Sequence, residues 1–504
     1  MSSNGSNVRT NVILMVFFLL VNLLVYGETL GYPFMMEDDR LFNLWARPFD
    51  LNSVLACLNP FEKNLIYYRP TTNFLFLALN NLSSGDPLIC RVYILLMFTV
   101  FSALVYGMTL GIFKDRLTAV LAAVLFSVHP INGFYVNYIT ASTILIWGVT
   151  MMAALYAHQL FVEKKRWLWF GLSVVCSVLA LASHEMAGML PVFVFVLNCF
   201  LGERFLKAVL RSLPYVFMVA LWHLPRMIFF ARGENVPGMM LEGISNMGLT
   251  PANYLPSMMS LIGWYFQKLV WPQNILFMKS IWPVKSNLLI GNIAAGAAFA
   301  LTLVILIGTN VRNIRWILFW FIVGIAPLAA AVFISPAQGL TIEPHWFMIG
   351  SLGFFWAVAV FLRFIRTKIN PVLWSVFAAC VIVVLVAGTK INNDLWRTQK
   401  SYCTYWLSLE PKHQFPSFWM GLESVQEGDL QSAEVFFKQS LTGWYIDWES
   451  FVNLAAIALR QEKYKESVDW SRKALALNPS AAEAYNNIGA AALAQGDPDT
   501  ARQY

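Results

Sequence analysis

From the N-terminus to residue 389 the chain alternates long apolar runs with short polar breaks. Runs long enough to cross a hydrocarbon layer of roughly 30 Å fall at 12–30, 88–113, 117–134, 138–162, 167–183, 186–202, 212–230, 286–308, 316–334, 346–363 and 371–389. The block 167–202 is too long for one crossing, because a helix rises only about 1.5 Å per residue. It predicts a helical hairpin with Ser183, His184 and Glu185 at its tip. The pattern therefore predicts eleven crossings, with the two ends of the chain on opposite faces. No small-residue cleavage site follows the first run, which predicts a retained span rather than a removed signal. Residues 254–279 are also apolar enough to span, yet one crossing there would put the later basic loops on the wrong side. An interfacial or re-entrant helix is the expectation.

The pattern changes after residue 395. From 412 to 504 the chain is charged and Ala-rich and repeats with a period of 34: Gly421, Ala455 and Gly489 fall in register, as do Gly428, Glu462 and Gly496, and Ala433, Ser467 and Ala501. Asn453 matches Asn487, Leu441 matches Leu475, and Asn478-Pro479 closes a repeat. Small residues at fixed positions let paired helices approach closely, and a helix–turn–helix period of about 34 is the tetratricopeptide (TPR) signature. The expected organisation is a multispan domain over 1–395 with a long first outer loop at 31–87, a linker at 396–411, and about three repeats over 412–504. The third repeat stops within its second helix, as a fragment or truncated chain would.

Composition agrees with an all-α, polytopic membrane fold. Of the 504 residues 58% are hydrophobic and 12% charged, against about 25% charged in a soluble domain. A soluble enzyme could not hide that much apolar surface, and disorder is excluded by the same figures. The net charge of +7 is carried by alternate loops: Lys114 to Arg116, Lys164 to Arg166, Arg204 to Arg211, Arg312 to Arg315 and Arg363 to Lys368. The intervening tips at 130–137, 183–185 and 335–345 hold no Lys or Arg. The basic set is thus cytoplasmic and the C-terminal repeats lie outside, in a periplasm or lumen. No clustered basic face suits a nucleic acid. The six cysteines, Cys57, Cys90, Cys176, Cys199, Cys380 and Cys403, show no zinc-type spacing and read as small core residues.

Against this apolar background the remaining polar residues stand out at the outer tips. Glu37, Asp38 and Asp39 open the first loop; a carboxylate at mid-bilayer costs about 2.5–3.5 kcal/mol, so they sit at the interface. Loop solvation is the plain explanation, and a general base or metal ligand the functional one. The loop closes with Tyr67-Tyr68-Arg69-Pro70-Thr71-Thr72-Asn73, where Arg69 could grip a phosphate or anchor at headgroups. His129, His184 and Glu185, and Glu343 with His345 occupy three more tips; His223 lies in the outer half of the seventh span, His158 near the cytoplasmic side and His413 in the tail. Arg226 and Arg232 flank the outer end of the seventh span and are equally phosphate ligands or interface anchors. The His and acid side chains are of types that ligate a divalent metal, but they come from separate loops and their spacing does not support one. A shared outer polar cavity is the better supported inference.

This order of motifs resembles the C-type (GT-C) membrane glycosyltransferases, and more closely the transmembrane and tetratricopeptide-repeat-containing O-mannosyltransferases with their bacterial relatives. Asp38-Asp39 matches the acidic pair of their first loop, Tyr68-Arg69-Pro70-Thr71-Thr72 a YRP-LT-like segment, and Val128-His129-Pro130 a VHP segment. Ser183-His184-Glu185 matches a Ser-Lys-Glu-like tip with His in place of Lys. Glu343-Pro344-His345-Trp346 and Ser351-Leu352-Gly353-Phe354 match a later tip and the segment after it, with Pro-His-Trp a departure. The resemblance implies an inverting transfer from a polyprenyl-phosphate-linked sugar in the outer leaflet to a hydroxyl. It implies Asp38 as general base with Asp39 or Glu37 beside it, and Arg69 with His184 at the leaving phosphate. His345 and Glu343 are lesser contacts, and the departures leave the sugar unassigned. The compact loops suggest a bacterial inner membrane with the repeats periplasmic, the endoplasmic reticulum with luminal repeats being the alternative. The repeats imply a protein or peptide partner. Competing readings are a lipid-linked glycan transporter or flippase, which would show inverted repeats, a non-catalytic TPR scaffold, and a polyprenyl-diphosphate ligase.

Overall fold

The computed structural model describes residues 2–36, 38, 45–59, 68–231, 250–281, 296, 312–331, 340–411, 413–442 and 448–504. They form helices almost throughout. The first unit contains α1 (Ser2–Tyr26), α2 (Leu51–Leu58), α3 (Pro70–Ser83), α4 (Pro87–Phe113), α5 (Arg116–Val128), the short α6 (Phe134–Asn137), α7 (Ser142–Lys164), α8 (Trp167–Leu181), α9 (Leu190–Phe200), α10 (Phe205–Ala231), α11 (Pro251–Val270), α12 (Arg312–Ala331), α13 (Met348–Ile365) and α14 (Pro371–Leu395). Two three-residue strands, β1 (Lys279–Ile281) and β2 (Leu340–Ile342), pair antiparallel with Ser280 opposite Thr341.

Six helical segments among the described residues are long and apolar enough to cross a membrane. A seventh results if the pair Arg116–Val128 and Pro130–Asn137, bent by 57° at His129, is one span. Trp167–Leu181, Glu185–Phe200 and Ile314–Ala326 are apolar but shorter. The expected crossing at 286–308 lies, apart from residue 296, outside the described residues. Residues 251–270 form α11, which is not among the span-like helices. It starts from a capping box, Thr250 accepting from the Asn253 amide while Asn253 accepts from the Thr250 amide.

The core of this unit is α4 packed on α5, α7 and α1, with α7 against α8 and α5 against α13. Small residues allow the closest crossing, between α12 and α13: a Cβ on Gly324 would lie 2.2 Å from the Cα of Gly350, and one on Gly353 2.9 Å from the carbonyl of Ile317. The Ser351-to-Phe354 motif is therefore part of a helix contact. Some polar side chains inside the bundle bond across helices, Asn22 Nδ2 donating to Thr99 and Trp356 Nε1 to Thr109. The outer faces of α10 and α14 instead expose Phe217, Leu221, Val372, Val383 and Val384, the rim a lipid-facing helix presents.

The second unit is a helical solenoid of α15 (Gln399–Leu409), α16 (Gln414–Gln426), α17 (Leu430–Ser440), α18 (Trp448–Arg460), α19 (Tyr464–Leu477), α20 (Ala482–Ala494) and α21 (Pro498–Gln503). The starts at 414, 448 and 482, and at 430, 464 and 498, repeat the 34-residue register read from the sequence. The turn between the two helices of each repeat has one left-handed residue: Gly428 at φ 80°, Glu462 at 59° and Gly496 at 76°. Gly421 is small because the Phe437 ring sits 2.7 Å from where its Cβ would be. The stretch 396–411, expected as a linker, contains helix α15, which Thr398 caps and which packs on α16. Its aromatic residues give it a core of its own, Trp396 stacking on Tyr402 with centroids 3.9 Å apart.

Candidate functional site

Asp38 lies beyond the 3-10 turn Gly27–Gly31 that ends the first span, in a loop that reverses at Met36 (φ 52°). Its side chain is fully buried. Oδ1 accepts from the amide and hydroxyl of Thr140 at 2.8 and 2.6 Å, and Oδ2 from the amide of Met35 at 3.0 Å. Burial pushes the carboxyl up to about 6, against the opposing pull of the Thr140 and Met35 hydrogen bonds and of Arg91. A carboxylate oxygen offers two lone-pair sites, so Oδ2, holding one hydrogen bond, retains a position for a further donor. Glu37 and Asp39 lie outside the described residues.

The end of the same loop docks on the hairpin tip. Arg69 precedes α3, whose Pro70 suits the first helical position. The amide of Thr71 donates to Ala182 O and the Thr72 hydroxyl to Ser183 O, both at 3.0 Å. Arg69 grips Glu185 with its fork, Nη2 at 2.6 Å and Nε at 3.0 Å from Oε2. Burial raises the Glu185 carboxyl, but Arg69 and His184 override this and hold it at about 2. The two segments expected from the sequence to share a cavity are thus in direct contact. The expected phosphate ligand Arg69 already carries a carboxylate.

His184 Nδ1 accepts from the Met186 amide at 3.2 Å, which assigns the proton of the neutral ring to Nε2. Burial, reinforced by Arg69, holds it down to about 3, so His184 is uncharged. Its ring lies 5.4 Å from Trp147 and 6.2 Å from His345. His345 stacks on Phe134 at 5.7 Å, and its Nδ1 comes within 3.1 Å of Glu343 Oε2 without the alignment of a hydrogen bond. Among the described residues, buried Asn73 Nδ2, Ser142 Oγ, Trp147 Nε1 and His345 Nδ1 find no hydrogen-bond partner. Those of Asn73 and Trp147 can only donate.

His129 is engaged on both ring nitrogens: Nδ1 accepts from the Ile131 amide at 3.2 Å, leaving Nε2 to donate to Leu269 O at 3.0 Å. It ties the bend between α5 and α6 to the end of α11. Arg226 is in a stretch of α10 whose side chains are outside the described set, and Arg232 lies outside it altogether. Among the described residues no three His, Cys, Asp or Glu side chains are grouped to hold a metal ion.

One residue of this face had a signal that the motifs did not use. Arg91 is the lone charge in the first turns of the 27-residue α4, and it is 1% exposed. Its Nε donates to Tyr32 O and Nη2 to Pro33 O, both at 2.7 Å, and Nη1 to Asn137 O at 3.2 Å. An ionisable group inside an apolar span is a functional signal by itself. Trp147 and Thr140 carried no such mark, being ordinary residues of an apolar run.

Fold and sequence together define an all-α chain of several span-like apolar helices followed by a repeat solenoid. Two profiles of the tetratricopeptide repeat match residues 449–480 and 471–503. These residues are tetratricopeptide repeats, a module of protein–protein interaction. No curated protein matches the chain as a relative.

Proposed function

We propose that the chain is a glycosyltransferase of the GT-C kind, moving a sugar from a polyprenyl-phosphate donor to a hydroxyl, on a protein, at the outer membrane face. The observation that carries the reading is Asp38: a buried carboxylate, hydrogen-bonded on both oxygens and raised to about 6, just beyond the C-terminal end of the first span-like helix. Such a group is a base matched to neutral pH. The acceptor hydroxyl gives its proton to Oδ2 as its oxygen attacks the anomeric carbon. The bond from that carbon to the phosphate oxygen breaks, the configuration inverts, and polyprenyl phosphate leaves with the electron pair.

The leaving phosphate would meet hydrogen-bond donors with little net charge. Arg69 is balanced by Glu185, and His184 donates as a neutral ring through Nε2. The unpartnered donors of Asn73 and Trp147 fit the same role; Arg226 and Arg232 would supply net positive charge. Glu37 or Asp39 would assist Asp38, while Glu343 and His345 would face the sugar. The repeats would present the acceptor protein, with the solenoid in a periplasm or lumen. No divalent metal enters this scheme.

The test supplies the purified chain with radiolabelled polyprenyl-phosphate sugars and a mixture of unfolded acceptor proteins. Labelled protein from the parent and none from Asp38→Asn supports the assignment. Equal transfer by Asp38→Asn removes the base, and no labelling with any donor removes the enzyme. The repeat matches favour a second reading, a membrane-anchored scaffold, for which Asp38→Asn would leave partner binding intact.

A further inference from the structure

Two clamps join the same pair of segments. At one, the guanidinium of Arg91 holds the carbonyls of Tyr32 and Pro33 on the first loop and that of Asn137 on the facing turn. At the other, Asp38 of that loop accepts from Thr140 of that turn. The turn is fixed from behind as well, Asn137 Nδ2 donating to Asn393 Oδ1 at 2.8 Å and Asn393 Nδ2 to Val25 O at 2.9 Å. An arginine this buried is costly unless its donors are satisfied and an opposite charge is near. Its three hydrogen bonds all go to carbonyls, which stabilise the cation without neutralising it.

We propose that Arg91 is the positioning residue for Asp38: it seats the carboxylate against Thr140 and supplies the counter-charge that keeps it ionised in a dry site. The assignment of Asp38 as a base rests on the function proposed above; the coupling of the two charges does not. Among the described residues the titratable groups electrostatically coupled to Asp38 are Arg91 and the Cys90 thiol, both on α4, while the 137–141 turn contributes the Thr140 amide and hydroxyl. Removing the cation leaves burial opposed only by the Thr140 and Met35 hydrogen bonds, so the titration of Asp38 moves further up. Lysine keeps a charge but cannot reach three carbonyls with a planar fork.

The experiment measures the full chain in detergent in two ways across pH 4–9. The first is the unfolding temperature of the parent relative to Asp38→Asn, which reports the ionisation of Asp38 without any donor. A carboxyl raised in the folded state makes the parent lose stability relative to Asp38→Asn as the pH rises through its titration. The second is the pH profile of sugar transfer. Arg91→Gln should shift both midpoints up by about one unit, a tenfold loss of transfer below the midpoint, with kcat lowered and KM for the donor unchanged. Arg91→Lys should fall between. Should Arg91→Gln fail to fold, Arg91→Lys and Thr140→Val, each raising the midpoint, carry the test. Unchanged midpoints in the variants overturn the coupling. A shifted unfolding midpoint in a chain that transfers no sugar keeps the coupling and overturns the enzyme.

Discussion

Replacing Glu185 by Gln cuts the ion pair that fastens the start of α3 to the α8–α9 hairpin tip. The pair is a two-pronged grip with distances of 2.6 and 3.0 Å, and the side chains are 20% and 29% exposed. Exposed pairs are worth about 0–1 kcal/mol, and breaking a fully buried one costs about 3–5 kcal/mol. The intermediate exposure and good geometry place this one at about 2 kcal/mol. At 2–4 °C per kcal/mol the unfolding temperature should fall by roughly 4–8 °C. The pair lowers the Glu185 carboxyl from 4.5 to about 2. Its contribution is therefore complete above about 4.5 and is lost as the pH falls towards 2. Thermal unfolding of the detergent-purified chain at pH 7, with Arg69→Gln and the double variant completing the cycle, isolates the coupling. Additive single effects, each under about 0.5 kcal/mol, would refute the claim that this pair holds the two motifs together.

Sugar transfer should disappear as the pH falls through about 6, because a base must be deprotonated to act and Asp38 titrates there; a profile flat between pH 5 and 8 contradicts the assignment. In the solenoid, Glu462 occupies a left-handed position taken by glycine in the other two repeats. Glu462→Gly should raise stability by about 0.5 kcal/mol, the relief of strain exceeding the entropic cost of glycine, as read by hydrogen exchange of 448–477. His129→Ala should leave the Leu269 carbonyl without its donor and speed exchange along 251–270. Gly350→Leu should prevent folding or expression, since even a Cβ there meets Gly324 Cα at 2.6 Å; normal yield and melting would show that α12 and α13 do not cross so closely.

Much of the architecture was legible because it rests on periodicity. Apolar runs marked most of the long helices of the first unit, though not Leu51–Leu58 and Pro70–Ser83 inside the expected loop 31–87, and the helix starts of the three repeats follow the 34-residue register. Length was the weaker guide: an apolar run of 18 residues can be a straight span or, as at His129, two helices meeting at 57°. At 396–411 the polar composition hid a helix that buries Tyr402 and Trp406, four residues apart on one face, with Trp396 from the preceding turn stacked on Tyr402.

The candidate site was legible as a list of polar exceptions, and not as a set of partners. Sequence brought Arg69, His184 and Glu185 to one face but assigned the arginine to a phosphate, because nothing in a linear chain says that the neighbouring carboxylate reaches it first. His129 was an exception of the same kind, yet main-chain groups use both its nitrogens. The charge of Arg91 was in plain view within α4. Its meaning depends on carbonyls, which every residue has and no motif records. A buried ionised carboxylate needs its hydrogen bonds and its counter-charge at once, and here these come from different sources. Thr140 and Met35 hold the oxygens of Asp38, and Arg91 supplies the field while spending its own hydrogen bonds on the backbone. If the two had been one contact, a direct Arg91–Asp38 ion pair, the carboxylate would be too acidic to take a proton at neutral pH. The separation of the two tasks is what leaves Asp38 near 6.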